Sequence, residues 1–198
     1  GNVIGNSGFE TPSGLIKGKF TFGQEDDHSL TFSYSRTLAD DKDVPYDTFD
    51  TTGGTFGNVD RETDTSQTTL EYNYNPVSDL VDLTATLSYA DQQIDYSYVP
   101  GSSPLEGTPT WPFLEPTVNA EQRYETTKFT VKNVALFQTG TVDHQLRSGV
   151  EVSRRVRADN EAGSAPGGED NRLALFMIDE MRMGGFTVTP ALRYEKSK

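Results

Sequence analysis

Apolar residues recur at every second position along much of the chain, and this period is typical of β-strands. In residues 28–35, for example, Leu30, Phe32 and Tyr34 alternate with small polar side chains. The same alternation runs through residues 16–22, 70–74, 83–98, 145–153 and 186–195. Each stretch therefore predicts a strand with one apolar and one polar face. Residues 171–183 are ambiguous, because they contain a continuous run of apolar side chains.

The connections between these stretches have two lengths that alternate along the chain. Short ones, rich in Gly, Asn, Pro and Asp, lie near residues 23–27, 75–79, 139–143 and 184–185, and long ones near residues 39–64, 100–123 and 159–171. This order predicts an all-β fold, an antiparallel up-and-down meander of about eight strands with every long connection at one end. Outer-membrane β-barrels have this arrangement, with short periplasmic turns and long extracellular loops. A soluble β-sandwich is the alternative architecture.

The composition argues against several classes of function. The chain has 198 residues and a net charge of −13, so a sequence-independent grip on nucleic-acid phosphates is not expected. It has no Cys and two His, and no Gly-x-Ser-x-Gly motif, so no hydrolase site is predicted. The eight acidic residues between 39 and 64 match no calcium-loop spacing and predict a solvated loop. We therefore expect no enzyme, no resident cofactor and no metal site.

The end of the chain carries a motif that points to a known family. Phe176 is followed by Asp179 and Glu180, Gly184 lies in a short turn, and residues 189–195 read Thr-Pro-Ala-Leu-Arg-Tyr-Glu. This hairpin resembles one in TonB-dependent outer-membrane receptors, in which an aromatic residue precedes an Asp-Glu pair and the second strand reads Leu-Thr-Pro-Gly-Leu-Arg-Tyr-Asp. Ala in place of the common Gly and Glu in place of the common Asp are mild departures from the pattern.

Three further stretches resemble the heme and hemoglobin branch of that family. Residues 13–17 with 27–30 are similar to its Ser-x-Leu-x-Lys and Asp-His-x-Leu hairpin. Residues 70–89 are similar to its Tyr-rich strand, Pro-containing turn and Leu-Asp-Leu strand. Residues 148–151, with Arg154 and Arg155, are similar to its Gly-Val-Glu strand. The resemblance implies a receptor that imports heme, or heme from hemoproteins. A ferric siderophore or another cargo is the alternative within the family.

The resemblance also implies what surrounds this chain. Family receptors have a plug domain, an N-terminal segment that contacts TonB and a barrel of about 22 strands. We therefore expect residues 1–198 to be a single fragment of such a barrel in the outer membrane of a Gram-negative cell, with the plug absent. The partners expected for the full receptor are cargo, TonB and outer-membrane lipid, whereas the fragment alone is expected to associate through unpaired strand edges.

Aromatic side chains in the long connections are the candidate contacts for a ligand. Trp111 and Phe113 lie in the second long connection, and Tyr46 and Phe49 in the first. Exposed aromatics at such a place can touch a protein ligand such as hemoglobin, although packing against neighbouring loops is an alternative role for Trp111 and Phe113. Tyrosines at strand positions are candidates for the aromatic girdles of a barrel: Tyr72, Tyr74, Tyr89, Tyr96 and Tyr98.

The remaining candidates concern the barrel interior. His28 and His144 are predicted to lie beside short turns, away from the extracellular end, so neither is expected to bind heme. Several basic side chains fall on polar faces and would line the lumen: Lys17, Lys19, Lys132, Arg147 and Arg193. A self-contained soluble secreted β-domain that binds a partner or glycan through its loops is the hypothesis from a different class, and the mean hydropathy of −0.61 favours it.

Overall fold

A computed structural model describes residues 8–46, 54–158 and 167–198, and within them the chain forms one antiparallel sheet. The strands are β1 (Gly8–Glu10), β2 (Ser13–Phe22), β3 (His28–Pro45), β4 (Asn58–Tyr74), β5 (Leu83–Tyr98), β6 (Glu121–Thr139), β7 (Val142–Arg157), β8 (Gly168–Met183), β9 (Phe186–Val188) and β10 (Ala191–Ser197). A second sheet, which a β-sandwich requires, is not found among the described residues.

The ten strands occupy eight positions in the sheet. β1 and β2 both pair with β3, and β9 and β10 both pair with β8. Pro12 and Pro190 stand in the gaps within these two pairs, where the missing N–H interrupts the ladder. From β3 to β8 each strand pairs with the next one along the chain. The predicted up-and-down meander of about eight strands is therefore confirmed, and the ambiguous segment before Met183 is a strand.

The alternation of short and long connections is confirmed with shifted boundaries. Residues 23–27, 75–82, 140–141 and 184–185 form the short connections, and residues 46–57, 99–120 and 158–167 the long ones. All short connections therefore lie at one end of the sheet, here called the turn end, and all long ones at the other, the loop end.

The prediction of a solvated acidic loop over residues 39–64 is wrong at both of its ends. β3 continues to Pro45 and β4 begins at Asn58, so most of these acidic residues lie on paired strands. Cross-strand ion pairs hold them there: an Arg61 amino nitrogen lies 2.5 Å from Asp41, and an Arg36 amino nitrogen lies 2.6 Å from Asp64. The pairing converts an apparently self-repelling run into a charged extension of the sheet.

The two faces of the sheet differ sharply in chemistry. Nearly all large apolar side chains that remain exposed on the strands share one face, here called the apolar face: Ile16, Phe20, Phe22, Leu30, Phe32, Leu38, Leu70, Leu87, Tyr89, Phe129, Phe137, Val152, Leu173, Leu175, Met177, Met183, Phe186, Val188, Leu192 and Tyr194. The opposite, polar face carries Ser, Thr, Gln and charged side chains. A water-soluble domain does not expose so continuous an apolar surface.

One α-helix, α1 (Trp111–Val118), stands among the described residues, and the sequence pattern did not predict it. Pro112 occupies the first turn, where its missing N–H costs nothing, but Pro116 lies inside the helix. The helix therefore depends on its packing against the sheet rather than on its intrinsic propensity. Within the described ranges, no helix is long and apolar enough to cross a membrane.

Candidate functional site

The long connection from residue 99 to residue 120 folds back over the polar face at the loop end. Trp111 and Val118, at the two ends of α1, are buried against Val59 of β4. The ring centroid of Trp111 lies 4.5 Å from that of Tyr98 on β5. Partly buried side chains surround this centre and complete what we call the loop core: Val44, Tyr46, Phe56, Tyr96, Tyr98, Leu105 and Leu114.

Hydrogen bonds fix the connection to the neighbouring one. The Asn58 backbone N–H donates to Ser102 Oγ at 2.8 Å, and Ser103 Oγ donates to the Thr55 carbonyl at 2.7 Å. Tyr98 O–H donates to Glu106 at 2.8 Å and accepts from the Ser103 N–H at 2.9 Å. Two connections distant in sequence thus form one ordered cap at the loop end.

The four predicted contact residues have different environments. Trp111 is 8% exposed and belongs to the loop core, so it has the alternative role of packing rather than an exposed surface for a ligand. Phe113, two residues later, is 81% exposed and is free to meet a partner. Tyr46 is half-buried against Phe56 and Tyr96, and burial, followed by the nearby Tyr96, raises the pKa of its phenol. Phe49 lies outside the described residues.

Both histidines lie at the turn end, as predicted, and both belong to the apolar face. His28 stacks between Phe22 and Tyr74, with ring centroids 5.0 and 4.5 Å away, and its Nδ1 lies 2.7 Å from the Tyr72 hydroxyl. His144 stacks on Phe137 at 4.6 Å, and its Nδ1 lies 2.8 Å from Asp179. These rings form an aromatic band beside the short turns.

The assignment of tyrosines to girdles is only partly correct. Tyr72, Tyr74 and Tyr89 do lie on the apolar face, where a girdle would be. Tyr96 and Tyr98 lie on the polar face and pack in the loop core instead. The larger side chains of β5 shift from odd to even positions between Tyr89 and Ile94, and they change face there because the pairing with β4 continues without a bulge.

The polar face is richer in cations than in acids along the described strands. Its cationic side chains are Lys17, Lys19, Arg61, Lys128, Lys132, Arg147, Arg155, Arg157, Arg172, Arg182 and Arg193, and its acidic ones are Asp41, Glu71, Asp143, Glu151, Asp170, Glu180 and Glu195. The five basic residues predicted to line the lumen are all among them. Although the chain has a net charge of −13, its polar face carries more cationic than acidic side chains.

A groove on the polar face shows how these charges are arranged. It has a volume of about 250 Å³ and lies across β6, β7, β8 and β10. Three of its cations bind acids: Lys128 lies 2.7 Å from Glu151, Arg172 lies 2.6 Å from Asp170, and Arg193 lies 2.9 Å from Glu195. Its fourth cation, Arg155, lies over the Tyr124 ring, with the guanidinium carbon 5.2 Å from the centroid.

The charged groups of the polar face offer ionic and hydrogen-bonding contacts. Among the described residues, no group of His, Asp and Glu side chains is placed to hold a metal ion. Tyr124 and Arg157 were not among the residues singled out from the sequence, and Arg155 was noted only as part of the resemblance of residues 148–155 to a family strand. The two-residue spacing of Arg155 and Arg157 does indicate that both side chains lie on one face of their strand. The pairing that brings Tyr124 opposite Arg157, however, cannot be deduced from one strand alone.

Comparison with known proteins gives a consistent result. A family model described as TonB dependent receptor-like, beta-barrel, matches residues 6–198. The outer membrane transporter YddB from Escherichia coli has 15% identity and a TM-score of 0.58, with 96% of this chain and 28% of that chain covered. The siderophore receptor PiuA from Acinetobacter baumannii has 17% identity and a TM-score of 0.65, with 98% and 36% covered.

The solved structures and the family model support different conclusions. At such low identity the two solved structures show a shared fold, and this chain spans about a third of the length of each. No curated protein sequence matches the chain. The family match, in contrast, extends over nearly the whole chain, from the start of the first strand pair to the last residue.

Proposed function

The chain belongs to the TonB-dependent receptor family, as part of its β-barrel, and on this premise we propose that it is one segment of a receptor that imports an iron-bearing cargo. Family membership places the chain in the outer membrane of a Gram-negative bacterium. The family is of the receptor and transporter type, so the activity is binding and transport. The apolar face then meets lipid, the polar face meets the lumen, and the loop end faces outside.

One observation carries this proposal: the loop core seals a long connection onto the polar face rather than onto the apolar one. The connection therefore overhangs the lumen, where a cargo must pass, and leaves the lipid-facing band uncovered. Phe113 projects from this overhang with 81% of its surface exposed. A cargo, or the protein that carries it, can contact this side chain first. The lumenal wall below supplies polar and cationic contacts.

Heme, free or taken from a hemoprotein, is the cargo that we propose first. Its support is the resemblance of three stretches to the heme branch: residues 13–17 with 27–30, residues 70–89, and residues 148–151 with Arg154 and Arg155. His28 and His144 lie at the turn end on the apolar face, so an axial histidine would have to come from another part of the receptor. The first contacts here are with the periphery of the cargo.

A ferric siderophore is the second candidate, and the fold shared with the siderophore receptor PiuA favours it. Either cargo would require the plug and the TonB-contacting segment, which we expect elsewhere in the full receptor. TonB would then transmit energy from the inner membrane so that the plug moves and the cargo passes. No covalent step is involved.

Growth on defined iron sources tests the proposal. The gene for the full receptor is deleted in its own bacterium and restored from a plasmid, with iron supplied as hemin, as hemoglobin or as ferric siderophores. We expect the deletion to abolish growth on hemin or hemoglobin, and the plasmid to restore it only when TonB is present. Loss of growth on one siderophore alone would replace heme by that cargo. Unchanged growth on every iron source would refute iron import.

A further inference from the structure

Two arginines at the loop end of β7 share one aromatic ring on the polar face. Arg155 and Arg157 are among the last three residues of the strand and point to the same side of it. Their guanidinium carbons lie 5.2 and 5.5 Å from the ring centroid of Tyr124 on β6. Cation–π contacts at these distances hold both guanidiniums in place without neutralising either charge.

Neither arginine has a carboxylate partner among the described residues. Arg157 lies between Tyr124 on one side and Gly168 on the other, and neither supplies an acid. Arg155 lies between Thr126 and Asp170, but the carboxylate of Asp170 is 2.6 Å from Arg172. The acid directly opposite Arg155 on β8 is therefore already engaged.

The opposite face provides the contrast. Arg154, which directly precedes Arg155 in the sequence, points to the apolar side and lies 2.7 Å from Glu169. Most strand arginines of this chain likewise have a carboxylate within 4 Å: Arg36, Arg61, Arg123, Arg172, Arg182 and Arg193. Among the described strand arginines, Arg147 also lacks a carboxylate partner and donates to Gln145 instead. Arg155 and Arg157 differ from it because they lie beside the same ring.

We propose that Arg155 and Arg157 form an anion-binding site at the loop end of the lumenal wall, which selects a cargo carrying ionised acidic groups. A guanidinium presents a planar fork of donors that matches carboxylate and catecholate oxygens. The two guanidiniums beside the Tyr124 ring would bind two such oxygens or two acidic groups of one cargo. Heme propionates and ferric catecholates share this chemistry, whereas neutral ferric complexes lack it. The inference rests on the proposed function and names its class of substrate.

The test compares three double or single variants of the purified full-length receptor in detergent. Arg155→Gln with Arg157→Gln removes both charges, and Arg155→Lys with Arg157→Lys keeps them. Arg154→Gln is the matched control, because it removes a neighbouring guanidinium from the other face. Native-like folding of each variant is checked by its electrophoretic mobility before and after heating.

Two kinds of probe are titrated into each protein at low and high salt. The fluorescent polyanion pyrenetetrasulfonate reports on an anion site without any assumption about cargo. Hemin against hemin dimethyl ester, and a ferric tris-catecholate against a neutral ferric tris-hydroxamate, then distinguish the two sources of acidic groups. Each pair differs in charge while it retains the iron.

We expect the Gln pair to weaken binding of pyrenetetrasulfonate and of the anionic cargo by at least about tenfold. The Lys pair should bind more weakly than wild type but more tightly than the Gln pair, because it keeps both charges and loses the planar forks. Arg154→Gln should stay within about twofold of wild type, and high salt should reduce the differences between the variants. Unchanged polyanion binding in the Gln pair, an equal loss in Arg154→Gln, or binding of iron complexes with equal affinity for the charged and neutral members of both probe pairs would overturn the inference. If polyanion binding is lost in the Gln pair while no iron complex binds wild type, the anion site stands and the proposed function fails.

Discussion

Gly57 is the residue on which the order of the loop end depends most directly. Its φ of +75° lies in the left-handed region that glycine tolerates. A Cβ at this position would lie 2.5 Å from Ser102 Oγ and 2.8 Å from the Ser103 backbone nitrogen. The two connections can therefore approach closely enough to hydrogen-bond only because residue 57 has no side chain.

Replacing this glycine should loosen the cap. Gly57→Ala is expected to destabilise the fold of residues 99–120 by about 2–4 kcal/mol, because left-handed strain and a backbone clash add together. Amide hydrogen exchange over these residues in the full receptor measures the effect. Gly101→Ala is the matched control, since φ there is +85° but a Cβ would meet nothing within 4 Å. Equal loss of protection in both variants would contradict the clash.

Trp111 and Phe113 should separate packing from recognition. Trp111→Ala removes a buried ring from the loop core and is expected to cost about 3–5 kcal/mol of local stability, seen as rapid proteolysis between residues 99 and 120. Phe113→Ala should leave that proteolysis unchanged and weaken hemoglobin binding by roughly tenfold or more. If Phe113→Ala bound hemoglobin as tightly as wild type, Phe113 would not be a contact for the cargo.

At the scale of elements, the strands could be predicted from the sequence because lipid and water impose a period of two on each. The helix α1 could not, since Pro116 interrupts it and its stability comes from Trp111 and Val118 meeting Val59. The extended ends of β3 and β4 were also missed. Their acids resemble a repelling loop until cross-strand partners such as Arg61 are known.

The candidate site divides in the same way. The side of the sheet on which a lysine or arginine falls follows from its position in a strand, so the location of Lys132 and Arg147 on the polar face could be predicted. Which of the charges remain uncompensated could not. That depends on strand register, which places Gly168 rather than an acid opposite Arg157.

The two faces of one strand should respond differently to charge. Leu87 lies on the apolar face of β5, opposite Leu70 and Phe129, and Thr86 lies on the polar face. Leu87→Arg is expected to lower the free energy of unfolding of the receptor in lipid by about 2–4 kcal/mol, because a charge would enter the bilayer core. Thr86→Arg should change it by less than about 1 kcal/mol. Denaturant titration in liposomes measures both, and similar losses would contradict the assigned faces.

At the scale of the whole molecule, the sheet is open, with edges at β1 and β2 on one side and β9 and β10 on the other. Over the described residues it does not close on itself, and its apolar face is uncovered. In the full barrel, neighbouring strands would pair with both edges and lipid would cover this face.

Isolated from the rest of the barrel, the chain should associate. Unpaired backbone groups at both edges and the exposed apolar face each favour contacts between copies. Light scattering of the refolded chain without detergent is expected to show oligomers, and added detergent should reduce their size by covering the apolar face. A monodisperse monomer without detergent would contradict this prediction.

The proposed route of the cargo depends above all on which end of the sheet faces outside the cell. The chain contains no Cys, so a single cysteine can be placed at either end without removing another from this segment. Phe113 and Val77 suit the comparison, because they lie at the loop and turn ends with 81% and 94% exposure. A membrane-impermeant maleimide is applied to intact cells that express full-length receptor with Phe113→Cys or Val77→Cys. We predict that the first is labelled at once and the second only after the outer membrane is permeabilised. Labelling of Val77→Cys in intact cells, with Phe113→Cys protected, would contradict the orientation and with it the proposed route of the cargo.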